Sequence, residues 1–115
     1  MTRGEVYWAD LAPRSGSEQR GRRPVIVVSR DAFNRARGWQ SLLVVPLSTS
    51  SAQAARGPTT VPLAPGSAGL RRPCYAVCHQ VTTLDRAKLG PRVGGLSRES
   101  LARIDSGLRV ALDLD

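Results

Sequence analysis

The pattern of apolar and polar positions predicts a series of short β-strands. Apolar and polar residues alternate loosely over Arg3–Leu11, and nearly continuous runs of Val, Ile and Leu fill Arg23–Ser29 and Ser41–Leu47. β-Branched runs of this length are typical of buried strands. Thr59–Leu63 predicts a short edge strand because a proline interrupts it, and Pro73–Leu84 predicts a strand or a bent strand pair.

The segments between these strands have mixed patterns. Arg30–Gly38 predicts a short helical turn anchored by Phe33 and closed by a glycine. Ser48–Pro58 is small and polar and predicts a flexible loop, and Ala64–Arg72 predicts a second loop. A short strand and turn are predicted for Asp85–Gly95.

The last segment predicts an amphipathic helix. Ser97 suits the N-cap position, and Leu96 and Leu101 have the spacing of a hydrophobic staple. Gly107 weakens a helix by about 1 kcal/mol relative to alanine, which indicates close packing at that position. The apolar stripe at a spacing of 3.6 residues consists of Leu101, Ile104, Leu108, Ala111 and Leu112.

Together these elements predict one domain over residues 1–115. No repeat, linker or low-complexity segment divides the chain. The predicted fold class is mainly β with helices, as a small, strongly bent antiparallel sheet or barrel. The C-terminal helix is expected to cap the open face of that sheet.

The charge balance narrows the possible partners. The chain carries a net charge of +8 and has an isoelectric point near 11.2. Lys88 is the only lysine among its cations, and arginine favours planar, bidentate phosphate contacts. A nucleic acid, an anionic membrane or an acidic protein segment would each fit this charge. No apolar stretch has the length of a membrane span and Met1–Ala12 lacks the apolar core of a signal peptide, so a cytoplasmic location is expected.

The two cysteines predict buried free thiols. Cys74 and Cys78 are four residues apart. On one strand this spacing separates them by about 13 Å, beyond the ~7 Å limit for a disulfide. With His79 they make an incomplete zinc site, because no second ligand cluster occurs. No metal or other cofactor is therefore expected.

A basic loop that leads into the second strand is the strongest candidate site. Polar residues lie between Gly16 and Gly21, and Pro24 holds the residue before it in an extended conformation. Arginine forks aimed from a rigid strand end into a polar loop suit phosphate binding. The alternative is a hairpin whose exposed loop is merely basic. The candidate residues in this segment are Ser17, Glu18, Gln19, Arg20, Arg22 and Arg23.

Several blocks occur together in a distinctive order. They are RGEVYWADL, GSEQRGRRPVIVVSRDAFN, VVPLS and CHQVTTLDRAKLG, followed by the amphipathic helix. This order resembles the MazF/PemK family of toxin endoribonucleases over almost the whole chain. The resemblance implies an SH3-like barrel and a homodimer.

The same resemblance implies an activity and a partner. Family members cleave single-stranded RNA without a metal ion, by attack of the ribose 2′-hydroxyl. The products carry a 2′,3′-cyclic phosphate and a 5′-hydroxyl, and cleavage inhibits translation and growth. The implied partner is a MazE-like antitoxin whose acidic, disordered tail lies across the RNA groove.

The resemblance also assigns catalytic positions. Arg23 matches the catalytic arginine, whose guanidinium can stabilise charge on the phosphorane. Ser48 stands where the family usually has threonine, and Thr49 follows it, so which hydroxyl points into the groove stays open. Glu18 can orient Arg23 or accept a proton if its pKa is raised.

RNA contacts follow from the same matches. Trp8 and Tyr7 lie on alternate faces of the first strand, so at most one stacks on a base and the other is expected in the core. His79 replaces an acidic residue common in relatives and is expected to pack or to contact a second protomer rather than to act as a catalytic base. Gln80 is expected on the opposite face. The residues implied to contact RNA are Ser17, Gln19, Arg20, Arg22, Thr49 and Gln80.

Two other functions remain open. A catalytically silent RNA-binding barrel would retain the groove without cleaving RNA. A CcdB-like toxin that poisons gyrase has a similar fold, but its activity depends on an aromatic C-terminus. This chain ends in Val110–Asp115, which contains no aromatic residue.

Overall fold

A computed structural model describes residues 1–11 and 21–114 of the chain. In the described part, strands and helices follow the predicted order. The strands are β1 (Glu5–Asp10), β2 (Arg22–Val27), β3 (Ser41–Ser48), β4 (Thr60–Leu63), β5 (Cys74–Val77), β6 (Thr82–Asp85) and β7 (Leu89–Gly95). The helices are α1 (Asp31–Asn34) and α2 (Arg98–Leu112).

The strands form one antiparallel, seven-stranded sheet that turns at β3. Its order is β4-β5-β3-β2-β1-β7, and β6 pairs with β3 off this path. The first half of β3 pairs with β6 and its last two residues pair with β5. Since β3 is shared in this way, the sheet bends, which confirms the predicted mainly β fold with a C-terminal helix.

Two apolar clusters lie on opposite faces of the central strands. β2 and β3 contribute to both clusters because successive side chains of a strand point to opposite faces. This explains why their sequences are continuously apolar rather than alternating. The cluster on the α2 side includes Val6, Ile26, Val45, Leu47 and Ile104, and the other includes Ala9, Leu11, Val25, Leu42, Val44 and Leu84.

Helix α2 begins as predicted but leaves the core earlier than its apolar stripe indicated. The Ser97 hydroxyl accepts a hydrogen bond from the Ser100 amide at 3.1 Å, and Ile104 is fully buried. Leu101 and Leu108 are half-buried against the same cluster. The prediction was wrong for the final turn, where Leu112 is 52% exposed.

Two further expectations need correction. Phe33 does not anchor α1, since it is 44% exposed. Asn34 anchors α1 instead: its buried amide donates to the Ser29 carbonyl at 2.8 Å and accepts from the Ser29 hydroxyl at 2.5 Å. Most of the predicted flexible loop after β3 forms 3-10 turns over Ser51–Thr59, where Gln53 is buried.

The cysteines are free and buried, as predicted. They lie at the start of β5 and in the Cys78–Gln80 turn between β5 and β6, which confirms the bent strand pair. Burial raises the pKa of each thiol to about 11. Among the described residues, no helix has both the length and the apolar character needed to span a membrane.

Candidate functional site

A groove of about 560 Å³ opens where β2 begins and β3 ends. Antiparallel pairing puts these two ends together, with Val25 opposite Pro46. The floor of the groove is apolar, and its rim carries basic and polar groups. The floor includes Pro24, Leu47, Leu70, Cys74 and Val93, and the rim includes Trp8, Arg22, Arg23, Thr49, Arg71 and Arg72.

Strand pairing positions the first wall of the groove. Arg23 pairs with Ala9 and Pro24 pairs with Trp8 in the β1–β2 ladder. The guanidinium carbon of Arg22 lies 5.1 Å from the centre of the Trp8 ring, which is a cation–π contact. The structure therefore brings both predicted arginines of β2 to the groove beside a tryptophan face.

The opposite wall of the groove is formed by Leu70–Arg72. Its position depends on two close backbone contacts that the sequence did not predict. The Ser67–Gly69 turn packs against β7, and a Cβ at Gly69 would lie 2.7 Å from the Val93 carbonyl oxygen. A Cβ at Gly94 would lie 2.6 Å from the Ala68 carbonyl carbon and closer still to its oxygen. Because these glycines allow the close packing, the Leu70–Arg72 segment that follows the turn lines the groove. In the sequence, the two consecutive glycines of β7 were the feature that could have indicated this contact.

The two candidate hydroxyls have different surroundings. Ser48 is buried, and its hydroxyl accepts a hydrogen bond from the Ser50 amide at 3.1 Å. Thr49 is exposed and lines the groove, whereas Ser48 is not among the lining residues in the part of the chain that is described. The geometry therefore favours Thr49 over Ser48 as the hydroxyl that faces a ligand.

Gln80 and His79 lie away from this lining. Both belong to the Cys78–Gln80 3-10 turn, so strand alternation does not apply to them. Gln80 is half-buried and is not one of the described groove residues. His79 is exposed, and its Nδ1 lies 2.9 Å from the Thr59 hydroxyl. The pKa of this imidazole is lowered, mainly by partial burial of the ring and to a smaller extent by the nearby positive charge of Arg56.

Tyr7 takes no part in the groove wall formed by the described residues. It is half-buried outside the two core clusters, and its hydroxyl donates to Glu5 Oε1 at 3.2 Å. The expectation that it lies in the core was therefore wrong. Partial burial, with the Glu5 charge next, raises the pKa of the Tyr7 hydroxyl.

Four predicted site residues lie outside the described residues. They are Ser17, Glu18, Gln19 and Arg20, and their roles stay predictions. Within the described part, the groove lining contains four arginines and no aspartate or glutamate. A concave site with this charge attracts and concentrates anions.

The chain matches known proteins along nearly its whole length. A family described as PemK-like, MazF-like toxin of type II toxin-antitoxin system matches residues 2–112. The chain is 35% identical to Endoribonuclease EndoA of Bacillus subtilis, covering 99% of this chain and 96% of that protein. It is also 35% identical to Endoribonuclease MazF6 of Mycobacterium tuberculosis, covering 99% and 98% respectively.

Solved structures agree with this result. The fold is similar to that of MazF from Deinococcus radiodurans, with a TM-score of 0.79, 25% identity, and coverage of 99% of this chain and 97% of that one. It is also similar to a mycobacterial endoribonuclease in complex with its cognate antitoxin, with a TM-score of 0.75, 28% identity, and coverage of 100% and 95%. The chain therefore belongs to the PemK-like, MazF-like family of toxins of type II toxin-antitoxin systems.

Proposed function

We propose that the chain is an endoribonuclease toxin that cleaves single-stranded RNA without a metal ion. The 2′-hydroxyl loses its proton and attacks the adjacent phosphate, and the P–O5′ bond breaks. The departing 5′-oxygen takes a proton from water, which gives a 2′,3′-cyclic phosphate and a 5′-hydroxyl. The observation that carries this proposal is the groove that combines Arg22, Arg23, Arg71 and Arg72 with the Trp8 ring. Arginine forks suit phosphate oxygens and an aromatic face suits base stacking, so the groove matches both parts of a nucleotide.

Arg23 is the proposed catalytic group for charge stabilisation. In-line attack develops negative charge on the non-bridging oxygens of the phosphorane, and a preorganised guanidinium stabilises that charge. Arginine stays protonated in proteins, which makes it a poor proton donor to the leaving 5′-oxygen. Its place at the rigid start of β2 fixes its backbone relative to the groove floor.

The hydroxyl function is assigned to Thr49. Its exposed side chain on the rim can donate a hydrogen bond to the same phosphate. Ser48 has a supporting role, because its bond from the Ser50 amide shapes the backbone around Thr49. A hydroxyl is a weak base, so its contribution is positioning rather than proton removal.

The remaining roles complete the proposed site. Glu18 orients Arg23 or accepts the 2′-hydroxyl proton. Arg22 adds a phosphate contact next to Trp8. Base and backbone contacts are proposed for Ser17, Gln19, Arg20 and Gln80.

The partner is proposed from charge and from a relative. A mycobacterial endoribonuclease of this fold has been solved with its cognate antitoxin. We propose that this chain likewise binds a cognate antitoxin, and that an acidic, disordered tail occupies the arginine-lined groove in competition with RNA. The active form is proposed to be a cytoplasmic homodimer.

Three arginine variants test the site. Arg23→Ala is expected to lower kcat for RNA cleavage about 10²–10³-fold, the range seen when one oxyanion-stabilising donor is removed. Arg23→Lys keeps the charge but loses the planar fork, so it should recover only part of the rate. Arg98→Ala, an exposed change on α2, is the matched control and should leave the rate unchanged.

The outcomes separate the candidate functions. Cleavage by Arg23→Ala at the wild-type rate contradicts the site assignment. If the wild-type protein binds RNA but never cuts it, the silent RNA-binding barrel is the better account. If it neither binds nor cuts RNA, binding to gyrase becomes the experiment to perform.

A further inference from the structure

A second aromatic surface lies away from the groove. The rings of Phe33 and Trp39 stack with their centroids 4.9 Å apart and an interplanar angle of 19°. Both side chains are substantially exposed, at 44% and 42%. The chain has two tryptophans, two tyrosines and one phenylalanine, so it places a large share of its aromatic surface at this one solvent-facing position. We call the Phe33–Trp39 pair the aromatic platform.

The backbone around the aromatic platform is held by specific contacts. Arg86 Nε donates to the Trp39 carbonyl at 3.1 Å, and its Nη2 donates to the Phe33 carbonyl at 3.5 Å. Asn34, next to Phe33, is buried and bonded to Ser29. One guanidinium therefore ties both aromatic residues to the end of β6, so the platform is a built feature of the surface.

The charges around the aromatic platform are mostly positive. Arg30 directly precedes α1, Arg35 and Arg37 lie between α1 and Trp39, and all three are exposed. The nearby carboxylate of Asp31 accepts a hydrogen bond from the Arg3 amide at 2.6 Å and lies 3.9 Å from Arg35. Asp85 on β6 is bonded to the Ala87 amide at 2.8 Å. Arginines thus outnumber carboxylates around an exposed pair of rings.

We propose that the aromatic platform and its arginines form a second contact site for single-stranded RNA, outside the cleavage groove. This inference rests on the proposed ribonuclease function. Bases stack on aromatic faces with little sequence preference, and arginine forks bind phosphates, so the two features recognise the same ligand. A short hydrophobic docking site would not require the surrounding positive charge.

The topology separates this site from the groove. Arg23 lies at the start of β2, and α1 follows the end of that strand. Six residues of extended strand span roughly 17–20 Å, so the two sites lie at opposite ends of the β2–β3 pair. An RNA held in the groove must extend beyond its cleavage site to reach the platform. The site therefore favours long substrates without defining the cut.

A second copy of the chain is a poor occupant of this surface. A two-fold interface brings the same patch of both subunits together. If the two-fold axis passed through the platform, Arg30, Arg35 and Arg37 of both copies would come together, and like charges brought together oppose association. A polyanion avoids this repulsion.

The test compares two substrates that share one mapped cleavage site. One is a short oligoribonucleotide that only fills the groove, and the other is a long single-stranded transcript. Trp39→Ala is expected to lower kcat/KM about tenfold on the transcript, through KM, and to leave the short substrate unchanged. Val110→Ala, at an apolar position on α2 that is also exposed, is the matched control and should leave cleavage of both substrates unchanged.

A charge variant tests the arginine component. Arg37→Glu should weaken cleavage of the long transcript and reduce the salt dependence of its KM, while Arg98→Glu makes the same change in net charge on α2 with little effect. Circular dichroism and thermal unfolding establish that each variant is folded.

The results distinguish this inference from the proposed function. If the wild-type protein cleaves neither RNA, the proposed function fails. If it cleaves both and Trp39→Ala and Arg37→Glu match wild type on the transcript, the second site is wrong. It is equally wrong if these variants lose only self-association or only the binding of an acidic protein.

Discussion

Substituting Gly107 tests whether α2 packs as closely on the turn after β5 as the structure shows. Gly107 is buried in the middle of α2. A Cβ added there would lie 2.8 Å from Cys78 Sγ and 3.2 Å from Val61 Cγ2. Cys78 is fully buried and Val61 nearly so, which leaves them little room to move.

Two opposing terms set the expected effect of Gly107→Ala. Alanine in a helix interior is favoured over glycine by about 1 kcal/mol. Overpacking a buried site costs ~1–3 kcal/mol. We therefore expect the free energy of unfolding to fall by about 1 kcal/mol, equivalent to a decrease of about 4 °C in Tm for a chain of this size.

Urea denaturation of five proteins measures these two terms separately: the wild type, Gly107→Ala, Ser106→Ala, Cys78→Ala and the Cys78→Ala/Gly107→Ala double variant. Ser106→Ala changes the exposed neighbour of Gly107 and removes the hydrogen bond that the Ser106 hydroxyl donates to the Ala102 carbonyl at 3.2 Å. Because this bond is exposed and alanine has the higher helix propensity, stability should rise by a few tenths of a kcal/mol. In a Cys78→Ala background, which removes the sulfur at 2.8 Å, Gly107→Ala should no longer destabilise the protein. A Gly107→Ala protein about 1 kcal/mol more stable than wild type would refute the packing argument, because it would behave as an exposed helix glycine does.

Other predictions address the groove and the core. Thr49→Ala should lower kcat/KM for RNA cleavage about tenfold or more through a lost hydrogen bond to a charged phosphate, and Ser48→Ala should have a smaller effect; the reverse order would contradict the assignment. Gly94→Ala should displace the turn before Leu70 and weaken RNA binding about tenfold while the protein stays folded; unchanged affinity in a titration would argue against this positioning role. The Cys74 and Cys78 thiols, whose pKa values burial raises to about 11, should resist iodoacetamide at pH 8 until urea unfolds the chain; fast labelling of the folded protein would contradict their burial.

The sequence was a good guide where apolar pattern alone decides structure. Continuous apolar runs over β2 and β3 predicted buried strands, and Ser97 predicted the start of α2. These features depend on local propensity, capping and burial, which neighbouring residues encode.

The misses arose where long-range contacts override local pattern. Leu112 fits the helical stripe, but the described chain leaves it 52% exposed at the end of α2. Phe33 was expected to anchor α1, whereas the small polar Asn34 fits the buried hydrogen-bonding position beside Ser29.

For the candidate site, the sequence predicted two of the four arginines in the described groove lining. Arg22 and Arg23 were predicted because they precede a strand in the same segment as the polar loop. The contribution of Arg71 and Arg72 depends on a turn packed against β7, a contact between residues distant in sequence. Whether Ser48 or Thr49 faces the groove depends on the backbone conformation at the end of β3. The amino-acid composition of that segment does not determine this conformation.

Mapping the ends of cleaved RNA tests the central claim most directly. Purified protein is incubated with a long single-stranded RNA in EDTA, and the new ends are identified chemically. We expect discrete cuts with 5′-hydroxyl and 2′,3′-cyclic phosphate ends, and the same cuts about 10²–10³-fold more slowly with Arg23→Ala. Cuts that require a divalent metal, or that Arg23→Ala makes at the wild-type rate, would contradict the proposed mechanism.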